Sequence, residues 1–348
     1  MHESRSHLAA ARRPGRVECV IAVTIELESM QHQGALLARG DVVDIIAPGF
    51  RCTQEQLEGG IEFLQRQGLI ARVPPDLFGE DLLCANTDAR RLAQLRKALY
   101  ARDSRAVWCV RGGYGAIRII QRLQALKPPS QAKLLIGYSD ATTLHQLVNL
   151  FWGWPSLHGP LLDRLGSADF PEAQRAELHG VLFGGAPRTL FADLVPLNAA
   201  ARRRQRIVSR LTGGNLTVLQ STLGTALQRR PSGILFLEDI GERGYRIDRM
   251  LEQLRQAGVL RNLKAVVLGT FLGGAEADGS NLGAAVLERF ANTLPIPVLS
   301  GIPAGHGAVQ RPLFLHSRAE LQCGPQGQLS VQTPSFAPRP RSRAQPRR

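Results

Sequence analysis

AVWCVRGGYGAIRIIQRLQAL, residues 106–126, and KLLIGYSDATTLHQLVNL, residues 133–150, follow one another with six residues between them. Each opens on a short apolar run, passes through a glycine-containing turn and enters a segment with apolar residues at helical spacing. A buried strand, a tight turn and a helix, repeated, is the pattern of a parallel sheet with crossover helices. The alternation extends upstream. GDVVDIIAPGF (40–50) reads as a strand and turn, and TQEQLEGGIEFLQRQGL (53–69) as a helix with a Thr cap at its start and glycine near its end. ARVPP then resumes an extended segment, and NTDARRLAQLRKALYA (86–101) is a second capped helix. The expectation is an α/β fold whose N-terminal domain, 36–165, is an open parallel sheet with flanking helices. Ligands of such sheets sit at the carboxyl ends of the strands, which singles out the turns APGF, RGGYG and GYSD.

Downstream the pattern changes. Residues 166–207 are mixed and end in the run Arg202, Arg203, Arg204 and Arg206, which reads as a linker. A smaller, β-rich C-terminal α/β domain is expected over 208–330. It opens with SRLTGGNLTVLQSTLGT, continues through the strand ILFLED (234–239), the helix IDRMLEQLRQAGVL (247–260) and the strand KAVVLGTFLGG (264–274), and reaches the loop of IPVLSGIPAGHG (296–307). LFLHSRAELQCGPQGQLSVQ reads as a closing hairpin. Residues 1–35 form a basic extension, and the Pro/Arg-rich tail, 331–348, is expected to be disordered.

At 348 residues with 44% hydrophobic side chains, the chain can bury two ordinary cores. Its net charge of +14 resembles a nucleic-acid signal, but the excess lies mostly at the ends. Residues 1–17 carry a net +3 and residues 336–348 a net +5, so the folded body is closer to balance and no nucleic-acid partner is required. Cys19, Cys52, Cys84, Cys109 and Cys323 are scattered with no CxxC pair, which argues against a disulfide framework or zinc site and suits a reducing compartment. No apolar run approaches a membrane span, and no signal peptide is read at the N-terminus.

Gly137-x-Ser139-x-Ala141 resembles a nucleophile elbow, the G-x-S-x-G turn between strand and helix, with alanine for the second glycine. A Ser-Asp helix cap accounts for the same residues. A serine nucleophile needs a base and an orienting acid. Among the histidines, His145 would have to reach back nearly two turns along its helix. His306, between Gly305 and Gly307, can approach a cleft, although it also reads as a loop histidine. Glu238 and Asp239 end an apolar strand, where they could orient an imidazole or cap the next element. RGGYG exposes backbone N–H groups for an oxyanion or a phosphate. As a dinucleotide fingerprint it lacks its third glycine, which leaves a non-catalytic dinucleotide- or phosphate-binding protein as the reading from a different class, with Asp140 as its ribose-binding acid.

Taken together, VWCVRGGYGAIRII, IGYSDATTLH, HGP (158–160), GGNLTVLQSTLGT, LFLEDIGERGYRIDRML, VVLGTF and GIPAGHG resemble the LD-carboxypeptidase family of serine peptidases over residues 38–325. That family includes muropeptide LD-carboxypeptidases and the microcin C self-immunity proteins. The resemblance implies a Ser-His-Glu triad of Ser139, His306 and Glu238. It implies an oxyanion hole from the backbone of Asp140 and of Gly112 or Gly113. Apart from the resemblance, Arg111 and Tyr114 of the same turn are expected as substrate contacts. The resemblance also implies no metal or cofactor, and a cytoplasmic homodimer that releases D-alanine from murein tetrapeptides in peptidoglycan recycling. The alternative within the family is cleavage of a peptidyl-nucleotide antibiotic. IAPGF departs from the family's serine-rich first turn, and both basic termini fall outside its pattern.

Overall fold

A computed structural model of the chain describes residues 35–336. The extension, apart from residue 35, and the tail beyond residue 336 lie outside the described residues. In chain order the first half runs β1 Val42–Ile46, α1 Gln54–Arg66, β2 Ile70–Arg72, α2 Asp88–Tyr100, β3 Ser104–Cys109, α3 Ala116–Gln124, β4 Leu134–Gly137, α4 Thr142–Gln146 and β5 Ser156–His158. There follow α5 Leu162–Leu165, α6 Glu172–Leu182, β6 Arg188–Pro196, α7 Ala199–Arg202, β7 Gln205–Asn215, α8 Leu216–Ser221 and β8 Gly233–Arg243. The last elements are α9 Gly244–Gln256, β9 Leu263–Gly274, α10 Gly283–Asn292, β10 Val298–Ser300, β11 Leu313–Leu315, β12 Arg318–Cys323 and β13 Gly327–Gln332.

The caps read from sequence are built as side-chain bonds. Thr53 Oγ1 accepts from Gln56 N (3.2 Å) while Gln56 Oε1 accepts from Thr53 N (3.0 Å), a capping box at the start of α1. Thr87 Oγ1 accepts from Arg90 N at the start of α2. The first sheet has the order β11-β5-β4-β3-β1-β2, parallel from β5 to β2. Its strands are apolar on both faces because helices cover both. Val43, Ile45, Ala106 and Trp108 pack with Phe63 and Leu64 of α1. Ile46, Val107 and Cys109 pack with Leu95 and Leu99 of α2 and Ile119 and Ile120 of α3. This is the period-two alternation of a doubly covered parallel sheet.

The second sheet is a closed barrel, β10-β6-β13-β12-β7-β8-β9, with β7, β8, β9 and β10 parallel and the other pairings antiparallel. Phe191, Leu211, Phe236, Val267 and Leu329 belong to one core with the first sheet's Trp108 and Ile136. Outward residues of the parallel strands, Leu235, Leu237, Val266 and Leu268, pack on Met250 and Leu254 of α9 and Phe290 of α10.

Four expectations change. The stretch 166–207 is no bare linker: it carries α6, all of β6 and the start of β7. β6 alternates buried and exposed residues, with Leu190 and Val195 outside, so it has no apolar run, and β7 begins inside the arginine run. The closing hairpin is β12–β13 alone, because β11 leaves it to pair antiparallel with β5 at the edge of the first sheet. Strand β13 runs to Gln332, so the tail's first residues are ordered sheet. The helix after Ser139 is also shorter than it reads, giving way to a wide π turn at Leu147–Phe151.

Candidate active site

Strand β4 ends at Gly137, and the chain turns sharply. Ser139 sits at φ +63°, a left-handed conformation that a non-glycine residue adopts at a cost. The turn needs small neighbours. A Cβ on Gly137 would lie 3.0 Å from Cβ of Ala141 and 3.1 Å from Cβ of Cys109. Alanine at 141 therefore does what the elbow's second glycine does, and a side chain at Gly137 would fit only tightly against it. The cap reading fails in an instructive way. Ser139 makes no side-chain cap bond, and the buried Asp140 caps a different helix, its Oδ2 accepting from Ala116 N (2.9 Å) at the start of α3. Burial pushes the Asp140 carboxyl up to about 6, against the pull of that N–H. Asp140 thus ties the GYSD turn to the RGGYG turn.

The RGGYG turn packs directly on the serine. A Cβ on Gly112 would come within 3.1 Å of Ser139 Oγ. Gly112 O accepts from Phe50 N (2.9 Å), and in a trans peptide that turns the Gly113 N–H to the opposite side. Gly113 itself, at φ +90°, lies against the Phe50 ring. Arg111 is half-buried, 3.5 Å from Asp163 Oδ2 and 3.4 Å from Gln56 Oε1. Tyr114 is 40% exposed at the turn's tip.

Of the two acids ending ILFLED, the alternation of β8 separates the roles. Asp239 accepts from Asn215 Nδ2, from Thr217 N and Oγ1 and from Ile240 N, all structural bonds that hold α8. Glu238, fully buried on the other face, accepts from His306 Nδ1 at 2.7 Å. Because an ionised carboxylate only accepts, His306 carries its proton on Nδ1 and leaves Nε2 free. Gly305, at φ +123°, makes this approach possible: a Cβ there would be 2.7 Å from Glu238 Oε2. Tyr138, the residue before Ser139, lies 4.7 Å ring to ring from His306. Glu238 and His306 are thus joined, the ring of Tyr138, one residue before Ser139, packs on His306, and no hydrogen bond links Ser139 Oγ to His306.

Two histidines take positions that the sequence left undefined. His145 is no base: its ring bonds Ser156 Oγ (2.8 Å) and Gly137 O (2.9 Å), and burial drives it down to about 3. It staples the end of β4 to β5. His158, in the HGP triplet, is fully buried at the end of β5, with Nε2 3.7 Å from Glu238 Oε1. Burial works to raise the Glu238 carboxyl, but His158 and His306 outweigh it and hold it at about 2. The triplet was the one signal in the sequence for this residue.

A pocket between α1 and α6, around Arg66 and Arg175, lies elsewhere and contains none of these groups.

Known proteins carry the same architecture. Models of the LD-carboxypeptidase N-terminal and C-terminal domains match residues 43–159 and 208–321. A murein tetrapeptide carboxypeptidase of Pseudomonas aeruginosa is 31% identical over 281 residues, 77% of this chain and 89% of that one. A microcin C7 self-immunity protein of Escherichia coli is 24% identical over 80% of this chain and 90% of its own. The crystal structure of a muramoyltetrapeptide carboxypeptidase from Oxalobacter formigenes superposes with a TM-score of 0.72 at 29% identity, covering 84% of this chain and 98% of that one. With both domain models matched in order and a carboxypeptidase aligned along most of its length, the chain belongs to the LD-carboxypeptidase family.

Proposed function

We propose that the protein is a serine LD-carboxypeptidase that removes the C-terminal D-alanine from murein tetrapeptides in peptidoglycan recycling. The observation that carries this reading is Ser139 at φ +63° on a strand-to-helix elbow, with a Glu238–His306 pair at 2.7 Å whose imidazole packs on the adjoining Tyr138. Ser139 Oγ attacks the scissile carbonyl while His306 Nε2 takes its proton. The backbone N–H groups of Asp140 and Gly113 hold the oxyanion, the latter because Gly112 O is occupied by Phe50. His306 then gives the proton to the leaving amine, D-alanine departs, and water attacks the acyl-enzyme by the same route in reverse. The Ser139–His306 hydrogen bond forms as substrate enters, as such bonds tighten in the Michaelis complex. Glu238 fixes the imidazole tautomer and stabilises the imidazolium. Arg111 and Tyr114, at the mouth of the turn, contact the substrate peptide. The family resemblance further supports a homodimer working in the cytoplasm.

The test is D-alanine release from murein tetrapeptide by wild type and Ser139→Ala. The variant should lose about 10⁴-fold or more in turnover. Activity within tenfold or so of wild type would remove Ser139 from the reaction.

A further inference from the structure

β7 and β12 place two arginines directly opposite one another, Arg210 against Arg318 in the antiparallel register. Like charges so opposed destabilise a sheet unless something neutralises them. Among the described residues neither arginine forms an ion pair. The nearby carboxylate on β12, Glu320, is held by Arg206 through two bonds of 2.6 Å. The two arginines line a pocket of 550 Å³ together with His316, Ser209, Thr212 and Ser232. Thr212 is 2% exposed, and its hydroxyl has no hydrogen-bond partner. His316 sits at φ +58°, uncommon for a residue with a side chain, and its carbonyl accepts from Arg210 Nη1 (3.0 Å). Burial first, and then Arg210, push its imidazole down to about 4, so at neutral pH it is an uncharged donor and acceptor. A second hollow of 380 Å³ shares Arg210, His316 and Arg318 and adds Ser317, whose buried hydroxyl is also unpartnered.

Two opposed guanidinium groups, an imidazole and several hydroxyls, with no carboxylate lining the pocket, match the chemistry of a phosphate dianion. The pocket is separate from the site around Ser139. Ser232 just precedes β8, six residues before Glu238, and Thr212 pairs with Leu235, three residues and roughly 10 Å before it at the rise of a strand.

We propose that the Arg210–Arg318–His316 pocket is a second ligand site that binds a phosphate group, as the free ion or on a small phosphomonoester. The experiment titrates full-length protein with inorganic phosphate and, separately, with glucose 6-phosphate, against chloride at matched ionic strength. Calorimetry and the His316 ring resonances are the readouts. Saturable binding is expected, with Arg210→Ala and Arg318→Ala each weakening it about tenfold or more. Ser139→Ala should bind as wild type does, so the result stands apart from the peptidase reading. Tighter binding of the ester assigns the pocket to a phosphorylated metabolite, and equal or weaker binding assigns it to the free ion. Should either arginine variant misfold, wild type alone still decides. Bound phosphate favours the imidazolium and moves the His316 titration midpoint upward. An unmoved midpoint, no saturable binding, or binding that folded variants retain in full would overturn the proposal.

Discussion

His158 is buried with both ring nitrogens unpartnered, facing a Glu238 oxygen that also has no hydrogen-bond partner. Phenylalanine at 158 would keep the edge contacts with Tyr138 and Phe236 and remove the donor. With His306 alone opposing burial, the Glu238 carboxyl should rise. His158→Phe is expected to lower kcat about 10-fold, because Glu238 is then less firmly held as a carboxylate, with KM little changed. The acidic limb of kcat/KM should move up in pH, and an unmoved limb would make His158 a packing residue only. Asp140 gives a prediction of opposite sign. Its folded carboxyl is raised to about 6 from 3.8, so its ionisation costs stability, a cost that grows as pH rises through that window. Asp140→Asn keeps an acceptor for Ala116 N. It should gain stability relative to wild type at pH 7 and not at pH 4, read from urea unfolding at both. Glu238 runs the other way. Held at about 2 against 4.5, it contributes stability above pH 4.5 that drains away as pH falls toward 2. Ser139, Glu238 and His306 were legible as a set only through their motifs. The residues alone left Glu238 and Asp239 equivalent, and a strand's alternation of faces decides between them only once the partners on each face are known.

Loops and strand ends, more than side-chain identity, decide whether these groups meet. The His306 loop reaches Glu238 because Gly305 takes φ +123° with no room for a Cβ. Gly305→Ala should therefore destabilise the fold by about 1–3 kcal/mol and cut kcat at least about 100-fold, through strain and a displaced imidazole. Gly307→Ala meets only the Thr270 side chain at 3.1 Å and should be far milder, so equal losses in the two would refute the account. At the amino end of β4, Lys133 is 2% exposed. It donates to Ala98 O and Ser104 Oγ (2.6 Å each) and lies 3.8 Å from Asp44. Asp44 also accepts from Arg72. Asp44→Ala strands a buried ammonium and should cost about 3–5 kcal/mol in urea unfolding. The first-half elements were legible because buried parallel strands are apolar runs between capped helices. β6 was not, because an alternating strand beside an arginine run lacks both signals.

The first sheet does not complete itself, and no local pattern shows it. β11 closes the edge of the first sheet, yet it is drawn from the stretch between β10 and β12 of the barrel. Sequence order cannot reveal that pairing, since an apolar LFL beside a hairpin reads as part of the hairpin. The shared core makes the dependence energetic. Trp108 and Ile136 of the sheet, Phe236 and Val267 of the barrel and Phe314 of β11 belong to one contiguous buried cluster. Unfolding either part exposes the other's apolar face, so the two should unfold together. All three tryptophans, Trp108, Trp152 and Trp154, lie in the first half, and their fluorescence reports that half. Far-UV circular dichroism reports both. The full-length protein is expected to give coincident urea midpoints by the two probes. A chain ending at residue 165, without β11 and the barrel, should give no cooperative transition. Separated midpoints in the full chain, or a cooperative transition in the truncated one, would show that the first sheet stands without the strand it borrows.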